Sequence, residues 1–326
     1  MNYRVLIIGA GRIGAFFDSS SDHHILTHAH AFSRHAMFEL VGFVDADFNR
    51  AVQAAQRWDV QAFASLEQAF MQSSIDVVCV ATPDPTHYDI LNQLVRYPVK
   101  LVFAEKPLTK TLEQAYKIKQ LYAQVGIPVL VNYSRRFVPE FHEIRQRVQA
   151  GEFGRFVAGT GHYGKGLLHN GSHMLDFVRF LLGDITVVDC MQKIFDCYDD
   201  DPSIMGKVHV ADYDAPFFLQ PVDCNLFTIF EMDFLFEKRR VRIIDSGFFI
   251  EEYAVQPNTM FQGYSNLVLM NKYSSSLAQS LYCAADNIAH FLADQQPLRC
   301  TLDDAYTVMK LCTQDFDAKK NTLLRA

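Results

Sequence analysis

No uninterrupted apolar run in this chain approaches the about 18 residues that a membrane-spanning helix needs, so its hydrophobic residues, 49% of the total, are material for soluble cores. Nor is there a run of lysine or arginine. Thirty basic against 37 acidic residues leave a net charge of −7, which removes the electrostatic footprint of nucleic-acid or anionic-membrane binding and leaves a small molecule as the expected partner. Cysteine is sparse and unpatterned: Cys79, Cys190, Cys197, Cys224, Cys283, Cys300 and Cys312 are odd in number and contain no C-x-x-C pair. That argues against a disulfide framework or a zinc knuckle and reads as reduced thiols filling the cores of a cytoplasmic protein. Internal repeats and low-complexity segments are also missing. The stretch Met1 to Ala10 has the pattern of a strand, without the small-residue cleavage site of a signal peptide.

What is present is enough chain, 326 residues, for two domains. Up to about residue 125, apolar runs (Arg4 to Ile8, Leu40 to Val44, Val77 to Ala81, Leu101 to Ala104, Val129 to Asn132) alternate with helical patterns (Arg50 to Arg57, Leu66 to Gln72, His87 to Arg96, Leu112 to Val125). Such a βαβ succession implies a doubly wound parallel sheet, the Rossmann arrangement, over residues 1–125. From residue 126 to 326 the pattern changes. Helices are expected over Glu140 to Gln149 and Ser172 to Leu182, then β-rich segments such as Cys224 to Phe236 and Arg240 to Ile250, and a closing helix over Thr301 to Lys320 that could pack back on the first domain. The second domain is therefore expected to be α+β, built around a sheet.

Gly9-Ala10-Gly11-Arg12-Ile13-Gly14 is a G-x-G-x-x-G between an apolar strand and a helical pattern. Its first glycine suits a tight turn, its second a close approach of pyrophosphate to the backbone, and its third close helix packing, so Gly9, Gly11, Arg12, Ile13 and Gly14 are expected to hold a dinucleotide. Asp45, ending the second strand, would accept hydrogen bonds from the adenosine ribose and repel a 2′-phosphate, which favours NAD; Arg50 nearby leaves NADP open. The long gap between the loop and Asp45 implies an insertion around Phe17 to His28. It carries His23, His24 and His28, with His30 and His35 beyond, but no accompanying carboxylate or thiolate makes a recognised zinc pattern, and no metal is expected.

Three further motifs follow in order: Ala81-Thr82-Pro83-Asp84-Pro85-Thr86-His87, Glu105-Lys106-Pro107, and Asn132-Tyr133-Ser134-Arg135-Arg136-Phe137-Val138-Pro139. With the glycine loop and Gly171-Ser172-His173-Met174-Leu175-Asp176, the chain resembles the Gfo/Idh/MocA family of glucose–fructose oxidoreductase and inositol dehydrogenase relatives over nearly its whole length. The resemblance implies a nicotinamide cofactor between a Rossmann domain and an open-faced mixed sheet, with Thr82, Pro83, His87, Glu105 and Lys106 around the cofactor. It assigns Lys106 to the nicotinamide ribose and the substrate hydroxyl, and His173 to the reacting carbon as second acid/base or substrate ligand. An ammonium there can donate the proton that a developing alkoxide needs. Relatives commonly carry an Asp four residues before that His, where this chain has His169, so the resemblance makes His169 a third catalytic candidate with an altered proton relay. Arg136, Tyr163, Asn170 and Asp176 are candidates for the substrate pocket; Asp176 could equally be a polar residue on an apolar helix.

The function expected is a dehydrogenase or reductase acting on a sugar, nucleotide sugar or cyclitol. Alternatives are a redox-neutral glycosidase or lyase using tightly held NAD, and a non-catalytic dinucleotide sensor. A sheet face left bare by runs such as Phe227 to Phe236 would be widely apolar, and a homo-oligomer formed through it is expected.

Overall fold

The computed structural model describes residues 2–314 and 316. They form two compact units: residues 2–137 with 278–307, and residues 138–277 with 308–314 and 316. Among the described residues of the first unit, six parallel strands stand in the order β3-β2-β1-β4-β5-β6, the doubly wound order of dinucleotide-binding domains. They are β1 (Tyr3–Ile8), β2 (Phe38–Val44), β3 (Gln61–Phe63), β4 (Val77–Val80), β5 (Leu101–Ala104) and β6 (Val129–Val131). Val77 to Val80 and Leu101 to Val102 are wholly buried. Strands covered on both faces need such continuous apolar runs rather than alternation. The connecting helices are α1 (His28–Arg34), α2 (Phe48–Trp58), α3 (Leu66–Gln72), α4 (His87–Leu94) and α5 (Leu112–Val125). Their starts are set by side chains: Asp47, Ser65 and Thr111 accept from backbone N–H groups at the first turns of α2, α3 and α5. The boundary expected at residue 126 coincides with Gly126, the left-handed C-cap of α5, which lies inside this unit.

The helix expected straight after the glycine loop is only one turn, Arg12–Phe16, and α1 begins twelve residues after its end. The insertion between them is built around Asp18, which is 3% exposed. Its carboxylate accepts from the N–H groups of Leu26 and Thr27, from the Thr27 hydroxyl and from His30, while Arg57 donates twice to its carbonyl.

The second unit contains α6 (Pro139–Gln149), β7 (Phe156–Tyr163), α7 (Ser172–Leu182), β8 (Ile185–Ile194), β9 (Ser203–Val210), β10 (Phe217–Pro221), β11 (Phe230–Phe236), β12 (Arg239–Ile244), β13 (Phe249–Pro257) and β14 (Ser265–Ser274). Its sheet, in the order β14-β13-β12-β11-β7-β10-β9-β8, is antiparallel apart from the β7–β10 pair. Phe230, Met232, Phe234 and Phe236 alternate with half-buried Glu231, Asp233 and Leu235 along β11, and Phe177 of α7 packs on Phe234 with ring centroids 6.0 Å apart. The apolar face is thus the one the helices cover.

Alternation sends Phe230, Phe234 and Phe236 of the run expected to make the open face apolar inward, whereas Phe227, ahead of β11, is exposed. Asp233, Arg242, Glu251 and Lys272 instead stand opposite one another across β11 to β14. Arg242 lies 3.9 Å from Asp233 and 2.9 Å from Glu251, and Lys272 lies 3.1 Å from Glu251. Exposed apolar residues, Val255, Leu267 and Leu269, remain towards the β14 edge.

The reading of all the cysteines as reduced thiols is also overturned. Cys197 and Cys224 form a disulfide, brought together because Asp196 accepts hydrogen bonds from the N–H groups of both Lys165 and Cys224 and so gathers three loops.

After β14 the chain rejoins the first unit with α8 (Ser280–Leu292) and the start of α9 (Leu302–Cys312). Helix α8 was not foreseen, and the expected end of the last helix, residues 317–320, lies outside the described residues.

Candidate active site

In the first unit the three glycines of the loop do three different things. A Cβ on Gly9, whose φ is +98°, would sit 2.6 Å from the Ala81 backbone, and one on Gly14 would sit 2.1 Å from the Gly9 carbonyl oxygen; both positions therefore require close backbone approach. Gly11 has nothing within 4 Å of its missing side chain. It faces a cleft of about 770 Å³ whose lining brings together Gly11, Arg12, Ile13, Asp45, Thr82 and Pro83. This bare backbone beside a carboxylate fits a dinucleotide, with the phosphates on the loop and the ribose at Asp45. The first helical turn is too short to add a full helix dipole, so a bound anion would rely mostly on the loop's own N–H groups.

Asp45 is fixed on three sides. One oxygen accepts from the Ala10 N–H at 2.8 Å, the other from the Asp47 N–H at 2.9 Å, and Arg50 approaches to 3.2 Å. It therefore ties the end of β2 to the glycine loop as well as lining the cleft.

Gly14, His87, Glu105 and Lys106 lie outside the cleft's lining. His87 is 1% exposed, with its ring nitrogens 2.9 Å from the Pro107 carbonyl and 2.8 Å from the Thr82 carbonyl. It joins the two loops that follow β4 and β5, and as a direct cofactor ligand it is corrected to a support. Glu105 directly follows β5; its carboxylate accepts from His28 Nε2 at 2.8 Å and from the Asn132 side-chain amide at 2.7 Å. Burial pushes the Glu105 carboxyl up, but His28, Asn132 and the charge of Lys106 outweigh it and hold the group below the ordinary carboxylate range. Lys106, half-buried, is thereby set next to an anchored neighbour. His28 comes from the insertion, and no local sequence pattern links it to residue 105.

Arg136 is likewise not among the residues lining this cleft. It is 7% exposed, and its guanidinium faces Asp304 at 3.2 Å and the Arg299 carbonyl at 3.3 Å.

In the second unit, Tyr163 is fully buried and its hydroxyl both accepts from the Ile204 N–H and donates to the Ile204 carbonyl. Burial pushes its phenol well above the ordinary range, so it is a core residue and not a substrate ligand. Asn170 donates to the Gly164 carbonyl at 2.8 Å, closing the loop after β7. His173 and Asp176 lie on the first turns of α7, His173 half-buried and edge-on to Phe230, Asp176 1% exposed. Ser172, the first residue of α7, makes no capping bond because the helix is entered from a preceding helical turn, Gly166–Gly171. That turn is held by a residue that sequence reasoning missed, Asp201. It accepts from the N–H groups of Leu168 and His169, each at 2.9 Å, and lies 2.7 Å from His169 Nδ1. In the sequence it is the last of three consecutive aspartates, which reads as a solvated acidic run.

The model of an oxidoreductase family with an NAD-binding Rossmann fold, Gfo/Idh/MocA, matches residues 3–133. The inositol 2-dehydrogenase of Rhizobium meliloti is 31% identical over 157 residues, covering 47% of this chain and 43% of that protein. The aligned stretch thus spans less than half the length of this relative. Among solved structures, the WlbA dehydrogenase of Bordetella pertussis, in complex with NADH and UDP-GlcNAcA, superposes with a TM-score of 0.75 at 16% identity and covers 99% of this chain and 98% of its own. The UDP-N-acetylglucosamine 3-dehydrogenase GnnA of Acidithiobacillus ferrooxidans gives 0.72 at 18% identity, covering 96% of each. At these identities the structures share the two-unit fold with this chain.

Proposed function

We propose, from the match of residues 3–133 to the model of the Gfo/Idh/MocA oxidoreductase family with its NAD-binding Rossmann fold, that the chain is an NAD-dependent dehydrogenase or reductase acting at a hydroxyl or carbonyl of a sugar, nucleotide sugar or cyclitol. The observation that carries the proposal is the cleft in which the open backbone of Gly11, the Asp45 carboxylate and the Thr82 loop meet. When bound, the nicotinamide supplies the two-electron redox chemistry. The chain's own part is to hold the substrate and move its hydroxyl proton. Lys106 provides a positive charge for the developing oxyanion, His169 and His173 provide acid/base capacity, and Asn170 and Asp176 shape the polar surroundings. Asp45 favours NAD, since a 2′-phosphate would meet its carboxylate; Arg50 offsets only part of that charge, because it is already paired with it. We also place a homo-oligomer contact on the open face of the second unit's sheet.

The test is a thermal-shift series with NAD, NADP and their reduced forms, followed by a spectrophotometric screen of sugars, nucleotide sugars and cyclitols. Stabilisation by NAD beyond that by NADP and net formation of NADH on one substrate class are expected, with Lys106→Ala lowering turnover by about two orders of magnitude. Stabilisation by no dinucleotide would overturn the proposal. Cofactor that stays bound with no net NADH would point to a redox-neutral hydrolase or lyase.

A further inference from the structure

We propose that Asp201, from a distant loop, is the positioning residue for His169, and that the pair makes His169 Nε2 the acceptor of the substrate's hydroxyl proton. The proposal rests on the dehydrogenase reading above, and it starts from the contacts of one loop. Gly166 has φ +76°, and a Cβ there would lie 2.1 Å from Asp201 Oδ2. The backbone of the turn is therefore pressed against the carboxylate in a way only glycine permits. The neighbouring groups repeat the contact: the Gly166 N–H donates to Ser203 Oγ at 2.9 Å, and the Leu167 N–H to the Pro202 carbonyl at 3.2 Å. Residues 166–169 are thus clamped along residues 201–203, with Asp201 itself 8% exposed.

The imidazole is fixed in three respects. Asp201 Oδ2 lies 2.7 Å from Nδ1, and since an ionised carboxylate only accepts, the proton of a neutral ring sits on Nδ1 and the lone pair on Nε2. Tyr198 stacks on the ring, centroids 4.0 Å apart and planes 12° from parallel, which sets its tilt. The side chain keeps 24% of its surface exposed, so its outer edge can meet a ligand. In the oxidative direction the substrate O–H bond breaks and its proton goes to Nε2. The C–H hydrogen leaves with its electron pair to an oxidised nicotinamide dinucleotide, and the C–O bond becomes C=O. The imidazolium so formed is stabilised by the carboxylate on its far side, and in the reductive direction the same proton returns to oxygen.

The experiment combines wild type, Asp201→Asn and His169→Gln. Asparagine keeps the size and an acceptor oxygen for one of the two backbone N–H groups, which Asp201 accepts on separate oxygens, and removes the charge. With the substrate found in the screen, Asp201→Asn is expected to lower kcat by about 10- to 100-fold with KM changed by less than about 3-fold, and His169→Gln by at least as much. Independently of turnover, ¹⁵N-detected imidazole signals, assigned by their loss in His169→Gln, should show the Nδ1–H form of His169 in wild type and a mixed tautomer in Asp201→Asn. Full kcat in folded Asp201→Asn, full kcat in His169→Gln, or an Nε2–H form in wild type would each overturn the proposal. Wild-type protein that oxidises or reduces nothing in the screen would overturn the dehydrogenase reading and the proton-acceptor role with it. Only that outcome silences the wild type, so it is distinct from a failure of Asp201 alone.

Discussion

His28 is the residue through which the insertion after the glycine loop reaches the motif that carries Lys106. Its side chain is fully buried and meets a Glu105 carboxylate whose own side chain is 12% exposed. Truncating it by His28→Ala leaves that carboxylate largely desolvated with one partner fewer, a change expected to cost about 3–5 kcal/mol and readable as a lowered denaturation midpoint. His28→Gln, which retains a donor, should recover part of the loss. The pH dependence has a defined sign. Glu105 is held below its ordinary value of 4.5 in the folded protein, so its contribution is complete above that pH and disappears as pH falls through the lower folded value. In His28→Ala the acid limb of the stability profile should therefore move to higher pH; an unmoved limb would show that His28 does not hold Glu105. The glycine loop, Asp45 and Lys106 were legible in the sequence because each belongs to a short local pattern. His28 with Glu105, and Asp201 with His169, were not, because each pair joins residues 77 and 32 positions apart. Arg136 and Tyr163 failed as pocket candidates for a related reason: sequence carries residue type but not exposure, and both side chains are consumed by the fold.

Strands and helices were legible in proportion to their length and to the sharpness of their period. Strand β3 spans three residues, Gln61–Phe63, too few to show either alternation or an apolar run. Helix α8 follows a β-rich stretch and lacks a side-chain cap at its start, so nothing marked its beginning. The run Cys224 to Phe236 was expected to be β-rich, but β11 begins only at Phe230, the preceding segment being drawn to Asp196 and the disulfide. Alternation along β11 to β14 creates the charge row Asp233, Arg242, Glu251, Lys272, visible only once the register pairs the strands. Glu251, 9% exposed, lies between two cations. Glu251→Gln should destabilise the sheet by about 1 kcal/mol at low salt and by less at high salt, since the flanking cations are partly exposed and screened. Equal loss at both ionic strengths in urea denaturation would argue against a working charge row.

At the scale of the whole molecule, the doubly wound order of the first sheet and the helix-backed mixed sheet of the second follow from the change of sequence grammar near the end of α5. What the sequence misjudged is the character of the open face, and with it the kind of association that face supports. A broad apolar face would give a tight, salt-insensitive contact. The observed face joins alternating charges on β11 to β14 with Val255, Leu267 and Leu269 near its edge. A self-association there must both match charges and bury a narrow apolar strip. Light scattering coupled to gel filtration should accordingly give a mass above that of the 37.2 kDa chain, with Leu269→Lys lowering it because a cation replaces part of the strip beside Lys272. Raising the salt should weaken the assembly through the charge row. A monomer under all conditions would remove the oligomer from this account. An oligomer indifferent both to Leu269→Lys and to salt would move the contact to a different surface.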